Sequence, residues 1–186
     1  MKIYDCIFLD RDGTLNSDPK GYINSFQNFN LYDFTIPALK RLSELGNKFC
    51  IVTNQSGVSR GLIKEENLNF IHDFIYRIFK QNEIKLLNIY TCFDHPDIAT
   101  DRRKPGAGMF LEAKRDYGFD LKKCLMIGDS YGDMKAGFLQ GMDTMLVLTG
   151  HGQKTLGILG KEETPTYVVK DLYDGVEKLC LWELEY

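Results

Sequence analysis

The sequence predicts an α/β fold: a doubly wound, mostly parallel sheet with helices on both faces and no cap domain. Short apolar runs alternate along the chain with longer segments of helical periodicity, which is the pattern of strand–helix units. The apolar runs are continuous rather than alternating, as is typical of strands buried on both faces of a sheet. Polar side chains directly follow several runs, and in such sheets ligands bind at the carboxyl ends of the strands.

Six apolar runs are predicted strands. They are residues 6–10, 48–54, 88–93, 124–129, 144–150 and 166–170. The scattered cysteines fall mostly within these runs, which predicts buried, reduced thiols rather than a disulfide framework. They are Cys6, Cys50, Cys92, Cys124 and Cys180.

Five segments have the apolar spacing of amphipathic helices. In the first, Ile36, Leu39 and Leu42 share one face, and Gly46 is a plausible C-terminal stop. The predicted helices are residues 35–46, 64–82, 108–118, 131–141 and 171–182. The longest remaining segments are loop-sized, so no cap domain is expected between the strands.

Length, charge and composition limit the functional classes. The 186 residues suggest one domain that spans residues 1–186. The formal net charge of −3 gives no indication of nucleic-acid or anionic-membrane binding. No apolar run approaches the roughly 20 residues of a membrane span, and the N-terminus does not have the pattern of a secretory signal. We therefore expect a cytoplasmic monomer that binds a small molecule, without nucleic-acid or membrane partners.

Carboxylates, a hydroxyl and a lysine follow the predicted strands at one edge of the sheet. Asp10 and Asp12 come at the end of the first strand, and Thr53 at the end of the second. Lys104 comes after the third strand and Asp129 ends the fourth. Two carboxylates two residues apart at the end of a buried strand cost stability through repulsion and desolvation, unless a cation or a reaction requires them.

This set of residues predicts phosphate-ester hydrolysis. Asp10, Asp12 and Asp129 offer the oxygen ligands that Mg²⁺ prefers. Thr53 and Lys104 can hold phosphate oxygens. One carboxylate of the Asp10–Asp12 pair can attack phosphorus to form an aspartyl-phosphate, and the other can protonate the leaving alkoxide and then deprotonate the attacking water.

Four motifs occur in order, each near a strand end: FLDRDGTLN, VTNQSG, RKP and IGDSYGD. In this order they resemble the haloacid dehalogenase superfamily of phosphohydrolases. Over residues 3 to 150 the chain is most similar to the capless branch that contains the heptose-bisphosphate and histidinol-phosphate phosphatases. The longer phrases DRDGTLN and TNQSGVSRG favour the heptose enzymes within that branch.

The resemblance implies a role for each matching residue. Asp10 would be the nucleophile and a Mg²⁺ ligand, and Asp12 the proton donor and a ligand through its backbone carbonyl. Asp129 would be the third ligand, and Thr53 and Lys104 would hold the phosphoryl group. The remaining substrate contacts would come from Asp18, Gly21, Tyr22, Asn54, Gln55, Ser56, Arg103 and Ser130. The implied substrate is a small sugar phosphate.

The chain departs from this branch at one loop. Many members bind a structural zinc through Cys-x-His and a Cys-x-Cys just before Arg-Lys-Pro. Here those positions read Cys92-Phe93-Asp94 and Thr100-Asp101-Arg102, which keeps one ligand of four. His95 could supply a second, but two ligands do not make a tetrahedral site, so no structural zinc is expected.

Other substrates and one other function stay open at this point. Histidinol phosphate and the 3′-phosphate of a nucleic acid end are alternative substrates, and a binding module without turnover is an alternative function. The acidic net charge argues against nucleic acid. Arg60, Arg102 and Arg103 favour a second anionic group over an amine. The presence of every expected catalytic residue argues against the binding module.

A few residues have two interpretations each. Asp133 either orients the site or stands in the first turn of a helix, where the dipole favours it. Arg60 either reaches a distal phosphate or lies on the surface. His72 and His151 have no partners by sequence and are expected to be structural or exposed.

Overall fold

Strands and helices alternate through the computed structural model, which describes residues 3–18 and 22–181. The strands are β1 (Ile7–Leu9), β2 (Phe49–Asn54), β3 (Leu86–Cys92), β4 (Leu125–Gly128), β5 (Asp143–Val147) and β6 (Tyr167–Val169). The helices are α1 (Thr35–Glu44), α2 (Glu65–Gln81), α3 (Gly108–Tyr117), α4 (Tyr131–Gln140), α5 (Gly152–Ile158) and α6 (Leu172–Leu181). Short 3₁₀ turns lie in the connections at Phe26–Asn28, Pro96–Ile98 and Leu121–Lys123.

The strands form one parallel sheet in the order β3-β2-β1-β4-β5-β6. The chain winds outward in one direction from β1 to β3 and in the other from β4 to β6. The strand order therefore reverses between β1 and β4, where their carboxyl ends leave a crevice suited to a ligand. The predicted fold class is confirmed, and β1 lies inside the sheet between β2 and β4.

Each face of the sheet has its own apolar core. Along β1, Ile7 and Leu9 point to the face covered by α1, α2 and α6. Phe8 points to the opposite face, which α3 and α4 cover. Burial on both faces explains why the strands are continuous apolar runs in the sequence.

The structure adds one helix to the predicted set and shortens several strands, the fifth most at its carboxyl end. Helix α5 was not predicted, because its seven residues include two glycines and form no clear apolar stripe. The predicted strand 144–150 ends at Val147, and Gly150 adopts a positive φ of 51° beyond it. The last residue of the predicted helix 171–182 lies outside the described residues.

Within the described ranges, no helix combines the length and apolar character that crossing a membrane requires. Among the residues that the structure describes, the connections from β1 to α1 and from β3 to α3 contain no α-helix or strand, only 3₁₀ turns and isolated bridges. The organisation of residues 1–186 as one domain stays a prediction.

Phe8 lies in the apolar core between the sheet and helices α3 and α4. Its ring packs edge-to-face on Phe110 at 5.1 Å and on Phe119 at 6.3 Å, and it is fully buried. We expect Phe8→Ala to lower the free energy of unfolding by about 3–5 kcal/mol, because it leaves a large cavity. Phe70→Ala is the matched control, because Phe70 is 65% exposed, and it should change stability by no more than about 0.5 kcal/mol. Urea unfolding of both variants measures this difference, and equal effects would contradict the assigned core.

Candidate active site

The carboxyl ends of β1, β2 and β4 open into a cavity of about 310 Å³ at the point where the strand order reverses. Residues from all four sequence motifs line it. The lining residues are Asp10, Asp12, Asp18, Tyr22, Ile23, Thr53, Asn54, Gln55, Arg103, Lys104, Asp129, Ser130 and His151.

Lys104 lies at the centre of the charged groups. Its Nζ is 2.7 Å from Asp10 Oδ1 and 2.6 Å from Asp133 Oδ1, and it donates to the Val52 carbonyl at 2.6 Å. The lysine side chain is 2% exposed. Burial by itself lowers the pKa of Lys104, but the two carboxylates outweigh burial and raise the pKa above its usual value. Lys104 therefore stays cationic in the buried site.

Asp133 fulfils both interpretations that the sequence left open. Its Oδ2 accepts hydrogen bonds from the Ser130 amide at 3.0 Å and the Ser130 hydroxyl at 2.6 Å, which completes a capping box at the start of α4. Its Oδ1 faces Lys104. Asp133 thus caps the N-terminal end of α4 with one oxygen and orients Lys104 with the other.

Asp12 has a set of partners separate from those of Asp10. The Arg11 guanidinium donates to both Asp12 oxygens, at 2.9 and 2.7 Å. Asn16 donates to Oδ1 at 2.9 Å and Gln55 to Oδ2 at 2.8 Å. Burial raises the pKa of Asp12, but the Arg11 charge and these hydrogen bonds outweigh it and hold the pKa below its usual value.

Arg11 is a site residue that the sequence analysis did not single out. Its side chain is fully buried, beneath Phe29 and beside His72, with Nη1 3.5 Å from His72 Nε2. A buried arginine needs a charge partner, and Asp12 is the one that the contacts provide. The signal in the sequence was an arginine directly between two carboxylates at the end of a buried strand.

Two glycines make room for Asp129. Its Oδ2 accepts a hydrogen bond from the His151 backbone amide at 2.6 Å. A Cβ at Gly13 would lie 2.2 Å from this oxygen, and a Cβ at Gly150 would lie 2.1 Å from it. Both glycines also have positive φ, so a side chain at either position would displace the carboxylate and strain the backbone.

The donor set fits a divalent cation. One carboxylate oxygen each from Asp10, Asp129 and Asp133 lies within 4.8 Å of the others. Burial and the neighbouring carboxylates raise the pKa of Asp10 to about 7 and that of Asp129 to about 8. A bound cation would remove this repulsion, and oxygen ligands of this kind suit Mg²⁺. Because Lys104 and Ser130 already engage Asp133, Asp10 and Asp129 are the carboxylates best placed to hold it.

Asn54 and Gln55 of the second motif, which were predicted to contact the substrate, also make hydrogen bonds within the site. The Asn54 side chain donates to the Lys104 carbonyl and accepts from the Lys104 amide, both at 3.1 Å. The Gln55 amide donates to Thr53 Oγ1 at 2.9 Å. Asn54 and Gln55 thus position the predicted phosphate-binding residues as well as lining the cavity.

The predicted substrate residues fall into three groups. Asp18, Tyr22, Arg103 and Ser130 line the cavity with Asn54 and Gln55. Ser56 is buried beside Gln55 and does not line the described wall of the cavity, so its contact stays a prediction. Gly21 lies outside the described residues.

His151 is exposed, as one of its two interpretations expected, and it also lines the cavity. Its Nε2 is 3.1 Å from Asp18 Oδ2, and its ring is mostly exposed. The only signal in the sequence was its place just beyond the fifth predicted strand, on the same edge of the sheet. Ile23 adds an apolar wall that no sequence pattern indicated.

Comparisons with known proteins agree with this geometry. A family model described as HAD-hydrolase-like matches residues 101–175. The chain is 35% identical, over 90% of its length and 91% of the relative, to D-glycero-beta-D-manno-heptose-1,7-bisphosphate 7-phosphatase of Photorhabdus laumondii. It is 33% identical, over 77% of its length and 82% of the relative, to D-glycero-alpha-D-manno-heptose-1,7-bisphosphate 7-phosphatase of the same organism.

A solved structure is similar over nearly the whole chain. It is the D,D-heptose 1,7-bisphosphate phosphatase of B. bronchiseptica, complexed with magnesium and phosphate, with a TM-score of 0.87 and 35% sequence identity. The match covers 98% of this chain and 99% of that one.

His72 should lower the free energy of unfolding of the protein in mild acid. Burial and the Arg11 charge lower the pKa of His72 to about 4, against about 6.5 in an unfolded chain. Between these values the unfolded chain takes up a proton that the folded chain does not, so the free energy of unfolding falls as the pH falls. We expect this group to account for about 1–2 kcal/mol of lost stability between pH 7 and pH 5.

Glutamine at position 72 cannot take up that proton. Urea unfolding of the wild type and of His72→Gln at both pH values isolates the contribution of the histidine. The variant should lose less stability than the wild type on acidification. An identical loss in the two proteins would show that His72 titrates normally in the fold.

Proposed function

Because the chain belongs to the haloacid dehalogenase-like hydrolase family, we propose that this phosphatase removes the 7-phosphate of D-glycero-D-manno-heptose 1,7-bisphosphate. Relatives named for this reaction match most of the chain, with the similarity given above. The observation that carries the proposal is one cavity lined by Asp10, Thr53, Lys104 and Asp129, with Arg103 on the same wall. This combines the groups for phosphoryl transfer with a cation for a second anionic group.

Asp10 is the proposed nucleophile. Lys104 holds its Oδ1 at 2.7 Å, so the carboxylate is fixed in direction at the end of β1. Mg²⁺, held by Asp10, Asp129 and the carbonyl of Asp12, would supply positive charge for the phosphate oxygens. The Lys104 ammonium and the Thr53 hydroxyl would bind the same phosphoryl group. Attack by Asp10 forms an aspartyl-phosphate and releases the sugar alkoxide.

Asp12 is the proposed proton carrier. In the free protein its pKa is below the usual value, because Arg11 and the amides of Asn16 and Gln55 favour the charged form. The negative charge of an entering phosphate raises that pKa again, and this prepares Asp12 to donate a proton to the leaving alkoxide. Once the sugar has left, the same contacts favour removal of a proton from water, which hydrolyses the aspartyl-phosphate.

The second phosphate of the substrate needs its own cation. Arg103 lines the cavity and donates to the Asp94 carbonyl at 3.2 Å. Arg60 is exposed on the segment that follows the second motif, so it stays an alternative or additional contact. A guanidinium suits a phosphate, because its planar donors match two phosphate oxygens.

A substrate panel tests the proposal as a whole. The purified protein with Mg²⁺ would be assayed for phosphate release from both anomers of the heptose bisphosphate, from histidinol phosphate and from a 3′-phosphorylated DNA end. We expect the highest kcat/KM for a heptose bisphosphate, and the panel also identifies the anomer. A preference for histidinol phosphate over both anomers would replace the proposed substrate. Absence of turnover on every substrate would favour the binding module.

The roles of the two carboxylates separate in a leaving-group experiment. Asp10→Asn should abolish turnover, because a neutral amide does not attack phosphorus. Asp12→Asn should lower the rate of alkyl phosphate hydrolysis by about 10²–10⁴, through loss of proton transfer. An aryl phosphate, whose leaving group needs little protonation, should lose much less in the phosphoryl-transfer step. Single-turnover rates measure that step, and equal losses for the two esters would exclude Asp12 as the general acid.

Arg103→Ala tests the second phosphate contact. We expect kcat/KM for the heptose bisphosphate to fall by the equivalent of about 1.5–3 kcal/mol, because remote binding energy positions the reacting end. A simple monophosphate should be nearly unaffected. Arg115→Ala is the matched control, since Arg115 is 74% exposed on α3. If Arg103→Ala slowed both substrates equally, Arg103 would serve the reacting phosphate or the fold.

A further inference from the structure

The segment between β3 and α3 carries Arg103 to the cavity wall. In the family pattern described above, zinc ligands hold this segment at four positions, which here are Cys92, Asp94, Thr100 and Arg102. These residues do not fit a tetrahedral zinc site, because a guanidinium has no free electron pair for a metal and a threonine hydroxyl is not among the zinc ligands of such sites. The segment must therefore be held in another way.

Asp94 and Thr100 close the segment by hydrogen bonds. Asp94 Oδ2 accepts from the Thr100 amide at 2.8 Å and from the Thr100 hydroxyl at 2.6 Å. These bonds lower the pKa of Asp94, which is fully charged at neutral pH. Two of the four positions are thus joined to each other directly.

Thr100 is hydrogen-bonded in turn to Arg102 and Arg103. Its hydroxyl accepts from the Arg102 amide at 3.2 Å, and its carbonyl accepts from the Arg103 amide at 3.2 Å. The Arg102 guanidinium donates to the Thr91 carbonyl at 3.2 and 3.3 Å, which anchors the segment on β3. The Arg103 guanidinium donates to the Asp94 carbonyl. The direction of the Arg103 side chain therefore depends on where the bonds to Thr100 place Asp94.

We propose that Asp94 and Thr100 are positioning residues, a hydrogen-bonded clamp that takes the place of a structural zinc and aims Arg103 at the second anionic group of the substrate. The inference rests on the proposed function for the identity of that substrate. Neither residue lines the cavity, so both act through Arg103 rather than on the reacting phosphate. The clamp needs no metal, and removal of zinc should not change substrate selectivity.

Two substitutions with close controls test the clamp. Thr100→Val removes the hydroxyl and keeps the shape, whereas Thr100→Ser keeps the hydroxyl. Asp94→Ala removes the acceptor, and Asp97→Ala is its control on the same segment, since the Asp97 side chain is 85% exposed. Each protein is assayed with heptose bisphosphate and with p-nitrophenyl phosphate, and each substitution is repeated in the Arg103→Ala background.

We expect the substitutions in the clamp to affect the bisphosphate and not the simple monophosphate. Thr100→Val and Asp94→Ala should lower kcat/KM for the bisphosphate by about tenfold, mainly through KM, and leave p-nitrophenyl phosphate unchanged. Thr100→Ser and Asp97→Ala should behave as the wild type, and the losses should vanish when Arg103 is already alanine. Equal losses on both substrates, losses that persist without Arg103, or no loss at all would each overturn the proposal.

Hydrogen exchange separates this inference from the proposed function. Even if the heptose bisphosphate is not the substrate, exchange of the segment 94–103 in the full-length protein should quicken in Thr100→Val and not in Thr100→Ser. Treatment of the wild type with EDTA should leave that exchange unchanged. Unchanged exchange in Thr100→Val, or exchange that quickens when EDTA removes stoichiometric zinc, would refute the clamp.

Discussion

The structure depends on holding several carboxylates close together in a buried place. Oxygens of Asp10, Asp129 and Asp133 lie within 4.8 Å of one another, and burial strengthens their repulsion. Lys104 reaches two of them and a backbone carbonyl, and it is itself held by Asn54. The glycine turns, the cap of α4 and the strand ends all serve this arrangement. Such a cluster costs stability, which the two apolar cores offset.

The two carboxylates at the end of β1 lie in different electrostatic surroundings although only one residue separates them. Asp10 belongs to the crowded cluster, and its pKa is raised to about 7. Asp12 is paired with its own buried arginine, and its pKa is lowered. Groups whose surroundings push their pKa values apart are suited to different tasks in one reaction. This contrast gives the proposed division between a nucleophile and a proton carrier its physical basis.

In the proposed function, substrate choice depends on the loops that line the cavity. Beyond the strand ends, the cavity is lined by Asp18 and Tyr22, by His151 in the turn after β5, and by the segment that carries Arg103. The Asp94–Thr100 pair ties the last of these to itself, and Arg102 ties it to β3. Rim positions fixed in this way can recognise the part of a substrate that lies beyond the reacting phosphate.

The sequence by itself determined the fold class, the six strands and the residues at their carboxyl ends, because strand burial and strand order leave a direct pattern of apolar runs and polar ends. It also indicated Asp10, Thr53, Lys104 and Asp129, since each lies at the end of a strand or in the segment after one. Only the tertiary structure decided that Asp133 meets the lysine, that His151 faces Asp18 and that Asp94 holds Thr100. The first two pairs join residues from different connections or elements, and the third closes a single loop. Contacts set by how loops fold over a sheet leave no periodic signal in the chain.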